Sequence, residues 1–303
     1  MDGFAIYTGS ISVGPGHLFR NCLTQTSLMP ILGVINAYAA KLAKQAGASA
    51  IYLSGAGVAN ACYGLPDLAM TSMDEVADEA RRITDACDVP LLVDIDTGFG
   101  SVLNAARTIK CMEKAGVAAV HIEDQAFEKR CGHRDGKQLV SALEMGQRIA
   151  AAVDARTDSD FVIMARTDAL ANESRQQVLE RIQYYIEMGA DMIFLEAIQQ
   201  SSDLSFVAQH IQVPILVNST EFGKTAIQSQ DYWQKHGANM VLYPLTAFRA
   251  MSKVAFDVYQ TILKTGTQES LISQLQTRRE LYEVLNYQEF ENKLSVIKGD
   301  EDA

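Results

Sequence analysis

The stretch PLLVDIDTG, residues 90–98, decides the fold. Its first half is an unbroken apolar run, and two aspartates and a glycine follow directly behind it. An apolar run without alternation fits a strand buried on both faces, as in a parallel sheet covered by helices. Seven further runs share this form: PILGVINA (30–37), AIYLSG (50–55), AAVHIEDQ (118–125), FVIMARTDA (161–169), MIFLEAI (192–198), PILVNST (214–220) and MVLYPL (240–245). The segments between them, such as MDEVADEARRITDAC and NAARTIKCMEKAG, repeat their apolar residues with helical period. KQAGAS, EKAGVA, EMGAD and KHGAN each set a glycine where such a helix would stop. Strand and helix alternating eight times predict an α/β chain folded as a (β/α)₈ barrel. A doubly wound open sheet is the competing arrangement, but SGAGVANACYG (54–64) lacks the spacing of a dinucleotide-binding turn.

The 303 residues read as one barrel domain, with an N-terminal segment over 1–28 and a helical tail over 247–303. Hydrophobic residues make up 48% and charged residues 21%, as in a globular enzyme. The net charge of −11 argues against nucleic acid as a partner, since phosphate binding needs a basic surface. Five cysteines, at 22, 62, 87, 111 and 131, form no CxxC pair and fit free thiols in a reducing cytoplasm. Cys111, in a helical pattern, is expected in the core. MDGFAIYTGS lacks the basic and apolar regions of a signal peptide, and no apolar run is long enough to span a membrane. A soluble cytoplasmic protein is expected.

In a barrel the strand ends form the active face. Here they supply Asn36, Ser54, Asp94 with Asp96, Glu123, Arg166 with Asp168, Glu196, and Asn218 with Thr220. For Asp168 or Thr220 taken singly, a helix cap explains the residue equally well. Asp94 and Asp96, two apart on a strand, would point the same way and repel unless a cation sits between them. So few oxygen ligands, completed by water and substrate, suit Mg²⁺ or Mn²⁺. Glu123 on the next strand could reach the same ion. His121 reads as a hydrogen-bonded core histidine. Arg166 needs an anionic partner, either Glu196 or a substrate carboxylate. Arg249 either serves the same end or is simply exposed. In KRCGHRDGK (129–137) the cations Lys129, Arg130, His133, Arg134 and Lys137 surround Cys131, which favours its thiolate, while Gly132 and Gly136 keep the loop pliable. A Cys–His hydrolase is a poor fit, because His133 lies only two residues from Cys131 and no group to orient it is visible.

YLSGAGVA, GLPD, VDIDTGFG, HIEDQ, KRCGHR, MARTDA, NST and YPLTAFRA stand in the order found in the isocitrate lyase/phosphoenolpyruvate mutase superfamily. The resemblance covers about residues 17–295 and is strongest to the lyases that carry the cysteine loop. It implies Mg²⁺ on Asp94 and Asp96, with Glu123 and Asp67 in the outer shell. Ser54, Gly55 and Ala56 would hold a substrate carboxylate. Cys131 and Gly132 would lie on a gating loop, and Arg166, Glu196, Asn218, Ser219, Thr220, Arg249 and Arg278 would line the pocket. Ala56 stands where the family commonly has a glycine. The implied reaction is retro-aldol cleavage of 2-methylisocitrate to pyruvate and succinate, with Cys131 as the general acid and base. Alternatives on the same scaffold are isocitrate cleavage to glyoxylate and succinate, dimethylmalate cleavage and oxaloacetate decarboxylation. A metal-free ligand-binding barrel is the reading from outside enzymology. The resemblance also implies that the terminal helices swap between subunits, in a homotetramer built as a dimer of dimers.

Overall fold

The structure, a computed structural model, describes residues 13–126, 129, 132 and 136–298. Cys131, Arg130, His133 and Arg134 lie outside the described residues. Eight parallel strands close into a barrel in sequence order: β1 (Met29–Val34), β2 (Ala50–Leu53), β3 (Leu91–Asp94), β4 (Ala119–Glu123), β5 (Val162–Thr167), β6 (Met192–Leu195), β7 (Ile215–Asn218) and β8 (Met240–Tyr243). β1 pairs with both β2 and β8, so no sheet edge remains and the open-sheet alternative is excluded.

Period-2 alternation sorts the strand residues into two cores. Outward-facing Ile51, Leu53, Leu91, Val93, Val120, Ile122 and Ile163 pack under the helices. Inward-facing Met29, Ile31, Tyr52, Leu92, Met164, Phe194, Leu216 and Leu242 fill the barrel, which is a packed interior and not a pore. Helix α1 (Pro15–Thr24) contributes Phe19 to this inner core, fully buried.

Helices α2 (Ala37–Gln45), α3 (Gly55–Tyr63), α4 (Met73–Ala86), α5 (Val102–Lys114), α6 (Ala142–Ala155), α7 (Arg175–Glu187), α8 (Ser201–His210) and α9 (Gln230–Lys235) alternate with the strands. α4 and α7 open with capping boxes, Ser72 with Glu75 and Ser174 with Gln177. Gly47, Gly116, Gly189 and Gly237, the four stop glycines, all take positive φ. Two expectations change. Asn36 caps α2, its side chain accepting from the Ala39 amide at 2.8 Å, which accounts for its residue type. Cys111 on α5 is half-buried and not in the core.

The described chain forms two compact units, Val13–Phe248 and the residues from Arg249 onward. The second unit holds most of α10 (Thr246–Thr265), together with α11 (Arg278–Leu285) and α12 (Tyr287–Lys298). Among the described residues no helix is long and apolar enough to cross a membrane.

Candidate active site at the barrel mouth

Following the inward parity up each strand shows how the site is made. Tyr52 leads to Ser54, Leu92 to Asp94, His121 to Glu123, Met164 to Arg166, Phe194 to Glu196 and Leu216 to Asn218. The apolar layer gives way to a polar one at the C-terminal rim, and all six of those polar residues are buried.

The two aspartates reach their positions differently from the strand reading. β3 ends at Asp94, and Asp96 lies in the following turn with φ +47°. That left-handed step is unusual for a residue with a side chain. The carboxylates still converge: a Cβ added at Gly55 would stand 3.3 Å from both Asp94 Oδ2 and Asp96 Oδ1. A side chain there would crowd both carboxylates and require them to give by a few tenths of an ångström. The Gly55 amide donates to Asp94 Oδ2 at 3.2 Å, so this N–H holds a carboxylate of the protein itself. Asp94 Oδ1 accepts from the Asp96 amide at 3.0 Å.

Two lysines that the sequence reading set around the cysteine pair with buried carboxylates. Lys129 Nζ lies 2.5 Å from Asp67 Oδ1 and 2.8 Å from Asp96 Oδ1. Lys137 Nζ lies 2.7 Å from Asp168 and donates to the Gly132 carbonyl at 2.6 Å. Buried carboxylates without partners are costly, and these ammonium groups neutralise them. Gly132 rests against Glu196 and Arg166, since a Cβ there would fall 2.4 Å from Glu196 Oε1 and 2.5 Å from Arg166 Nη2. The nearest partner of Arg166 is Asp168 at 3.0 Å, ahead of Glu123 at 3.2 Å and Glu196 at 3.9 Å. Asp168 therefore makes ion pairs and does not cap a helix through its side chain. Asn218 Nδ2 donates to Glu196 at 3.2 Å, and Ser219 and Thr220 are buried beside it in sequence.

Below this layer, His121 stacks on Tyr52 and meets Phe194 edge-on. Its Nε2 lies 2.9 Å from the Tyr52 hydroxyl, which donates to Asp94 at 3.4 Å, while its Nδ1 is buried without a hydrogen-bond partner. A proton on Nε2 leaves no buried donor unmatched, so His121 donates to Tyr52 and Tyr52 to Asp94. Burial pushes the His121 pKa down to about 4, and the ring is neutral. This is the core histidine that the sequence suggested.

The two aspartates titrate apart. Burial pushes Asp94 upward, but the charges of Lys129, Arg166 and His121, which is cationic below about pH 4, outweigh it and hold the carboxyl at about 2. Burial lifts Asp96 to about 6 against the pull of Lys129, and the Asp94 charge adds to the lift. Burial raises Glu123 well above the carboxylate range, with Arg166 opposing. Side-by-side carboxylates resist a second negative charge unless a cation joins them. Among the described residues no three His, Cys, Asp or Glu side chains enclose an ion. The donor set is thus a pair of carboxylates, with Glu123 Oε1 buried nearby and lacking a hydrogen-bond donor. Such a sparse, all-oxygen set fits a hard divalent cation that keeps water and substrate as its other ligands. A cavity of about 240 Å³ opens onto Asp96 past Thr71, Thr97 and Phe99.

Arg249 and Arg278 belong to the C-terminal unit, on α10 and at the first position of α11. Sequence reasoning missed Lys129 and Lys137 as ion-pair partners, Tyr52, and Asp124, which accepts from Thr167, the Asp168 amide and Tyr185. The lysines had a signal: the rim carries more carboxylates than arginines, and the loop is rich in cations.

Residues 19–263 match the family described as phosphoenolpyruvate phosphomutase. A 2-methylisocitrate lyase of Vibrio cholerae is 53% identical over 293 residues, 95% of each chain. One of Escherichia coli is 54% identical over 281 residues, 92% of this chain and 95% of its own. A solved 2,3-dimethylmalate lyase superposes with a TM-score of 0.85 at 30% identity, covering 95% of this chain and 96% of that one. A phosphonopyruvate hydrolase solved with oxalate and Mg²⁺ gives 0.81 at 28%, covering 92% and 98%. With a closed barrel whose rim gathers the acids, and relatives matched along nearly their whole length, the chain belongs to the 2-methylisocitrate lyase family of the phosphoenolpyruvate mutase/isocitrate lyase superfamily.

Proposed function

We propose that this lyase cleaves 2-methylisocitrate to pyruvate and succinate, using a divalent cation at Asp94 and Asp96 and the Cys131 thiol as the acid. The convergence of the two carboxylates over Gly55 carries the reading on the structural side. Relatives at 53–54% identity carry it on the sequence side. Asp94 and Asp96 would hold Mg²⁺, or Mn²⁺, with Glu123 and Asp67 in the outer shell. When bound, the cation supplies positive charge to the oxygens of the 2-hydroxy acid.

Ser54 and Ala56 at the start of α3 would bind one substrate carboxylate through hydroxyl and amide donors, while the Gly55 amide, which the resemblance assigned to the same carboxylate, stays on Asp94. Arg166, Asn218, Ser219 and Thr220 would bind the succinate end, with Glu196 orienting Asn218 and Arg166. Arg249 and Arg278 are the further cations that the resemblance implies for the substrate. As the C2–C3 bond breaks, the 2-hydroxyl loses its proton and becomes the pyruvate carbonyl. The electron pair of that bond moves onto C3, where the adjacent carboxylate and its cationic and amide donors spread the charge. The Cys131 thiol delivers its proton to that carbon; one proton leaves oxygen and one reaches carbon, with no net oxidation. Gly132, packed against Arg166 and Glu196, would seat the loop and exclude water. The enzyme would work in the cytoplasm as a homotetramer of helix-swapped dimers, with no nucleic-acid or membrane partner.

The test is to follow pyruvate and glyoxylate release from 2-methylisocitrate and isocitrate side by side, with Mg²⁺ and with excess chelator. Pyruvate release that chelation abolishes is expected, as is near-complete loss in Cys131→Ser with folding intact. Predominant glyoxylate release would move the chain to isocitrate cleavage, because one methyl is worth only about 1–3 kcal/mol in a pocket. Full activity in Cys131→Ser would remove the thiol from the mechanism.

A further inference from the structure

Asp168 divides its carboxylate between two partners. Oδ1 takes the Lys137 ammonium at 2.7 Å, and Oδ2 takes Arg166 Nε at 3.0 Å. The Lys137 and Asp168 side chains are 1% and 0% exposed, so this pair is sealed from water. The same ammonium donates to the Gly132 carbonyl at 2.6 Å, across five residues of the cysteine loop. Gly132 in turn lies within side-chain contact of Arg166 and Glu196. One buried carboxylate thus grips both the arginine expected to read substrate and the backbone one residue beyond Cys131.

Asp168 is itself fixed. Its amide donates to Asp124 Oδ1 at 2.9 Å, and the Thr167 hydroxyl and Tyr185 hydroxyl donate to Asp124 Oδ2 at 2.7 and 2.9 Å. Arg181 on α7 holds the Tyr185 oxygen at 3.1 Å. The Lys137 carbonyl is held from the other side by Asn172 at 3.3 Å.

We infer that Lys137 and Asp168 are positioning residues. They form a clasp that holds the Gly132 backbone, next in sequence to Cys131, in register with Arg166. Placing the thiol's proton relative to the substrate carbon is the clasp's role, so the inference rests on the reading of Cys131 given above. A displacement of about 1 Å in a catalytic group can cost about 100-fold in rate.

The experiment compares Lys137→Met, Asp168→Asn and the double variant with the wild type. Each is assayed on 2-methylisocitrate with Mg²⁺, and melted by circular dichroism to confirm the fold. Separately, without substrate, trypsin cleavage after Lys129, Arg130 and Arg134 is timed by mass spectrometry. Each single variant is expected to lose about 100-fold in kcat, with a smaller change in KM. Loop cleavage should be at least about 10-fold faster, as expected when a local structure is opened by more than 1.4 kcal/mol.

The double variant separates a clasp from a pair that only neutralises charge. It buries no lone charge, and replacing both partners of a buried ion pair is often neutral for stability. A clasp leaves the double variant as slow as the single ones. Recovery of kcat in the double variant, or loop cleavage at the wild-type rate in Lys137→Met, would overturn the inference. Absence of turnover in the wild type would count against the proposed reaction alone, since the cleavage comparison needs no substrate.

Discussion

Asp96 illustrates how a single buried carboxylate here costs stability when it ionises. The residue is 5% exposed, and burial lifts its carboxyl to about 6, against 3.8 in the unfolded chain. The folded state therefore binds the extra proton between those values, and the stability this confers is complete below about pH 3.8. It is lost as pH rises through about 6, above which the ionised group costs about 3 kcal/mol relative to the unfolded chain. Asp96→Asn, in the metal-free protein, is expected to be more stable than wild type by up to about 3 kcal/mol at pH 7.5. The difference should fade below pH 4. Urea titrations with chelator across this range check it. A variant less stable at pH 7.5 would mean that the ion pair with Lys129 outweighs the desolvation.

At the scale of elements, the barrel depends on backbones meeting at one seam. Gly33 on β1 faces the end of β8 so closely that a Cβ there would fall 1.8 Å from the Pro244 carbonyl oxygen. A backbone atom cannot swing aside as a side chain can. Gly33→Ala is expected to destabilise by about 3 kcal/mol through overpacking, read as a fall in thermal midpoint. A midpoint within about 2 °C of wild type would show that the seam relaxes. The same elements show what periodicity can and cannot say. All eight apolar runs became strands, and the four stop glycines ended helices, because both depend on local backbone preference and on burial pattern. Asn36 looked like a rim residue because a strand-end amide and a helix cap share one sequence signature, and the α2 amides claimed it.

For the whole molecule, the C-terminal unit presents Phe256, Tyr259 and Leu263 on α10 at 56%, 65% and 87% exposure. Spacings of three and four place them on one stripe of the helix. An exposed apolar stripe of this kind is a surface for association, which supports the proposed helix-swapped assembly. Light scattering is expected to give the mass of a tetramer. Tyr259→Glu combined with Leu263→Glu should yield smaller species while leaving the barrel folded. A monomeric wild type would end the helix-swap reading.

Strand number, the closed alternation, the acidic rim and the superfamily were legible in the chain alone, because each is written in local periodicity or in short ordered motifs. The convergence of Asp94 and Asp96 was also foreseen, though for an incomplete reason: the turn at Asp96 and the bare Gly55 bring them together, not a shared strand. Which cation meets which carboxylate was decided only by tertiary structure. Lys129 pairs with Asp67 and Asp96, and Lys137 with Asp168, across separations of 62, 33 and 31 residues. Local pattern carries no information about such pairs. Closing the barrel buries the acids together, and the cost of leaving them unpaired selects Lys129 and Lys137 as their partners.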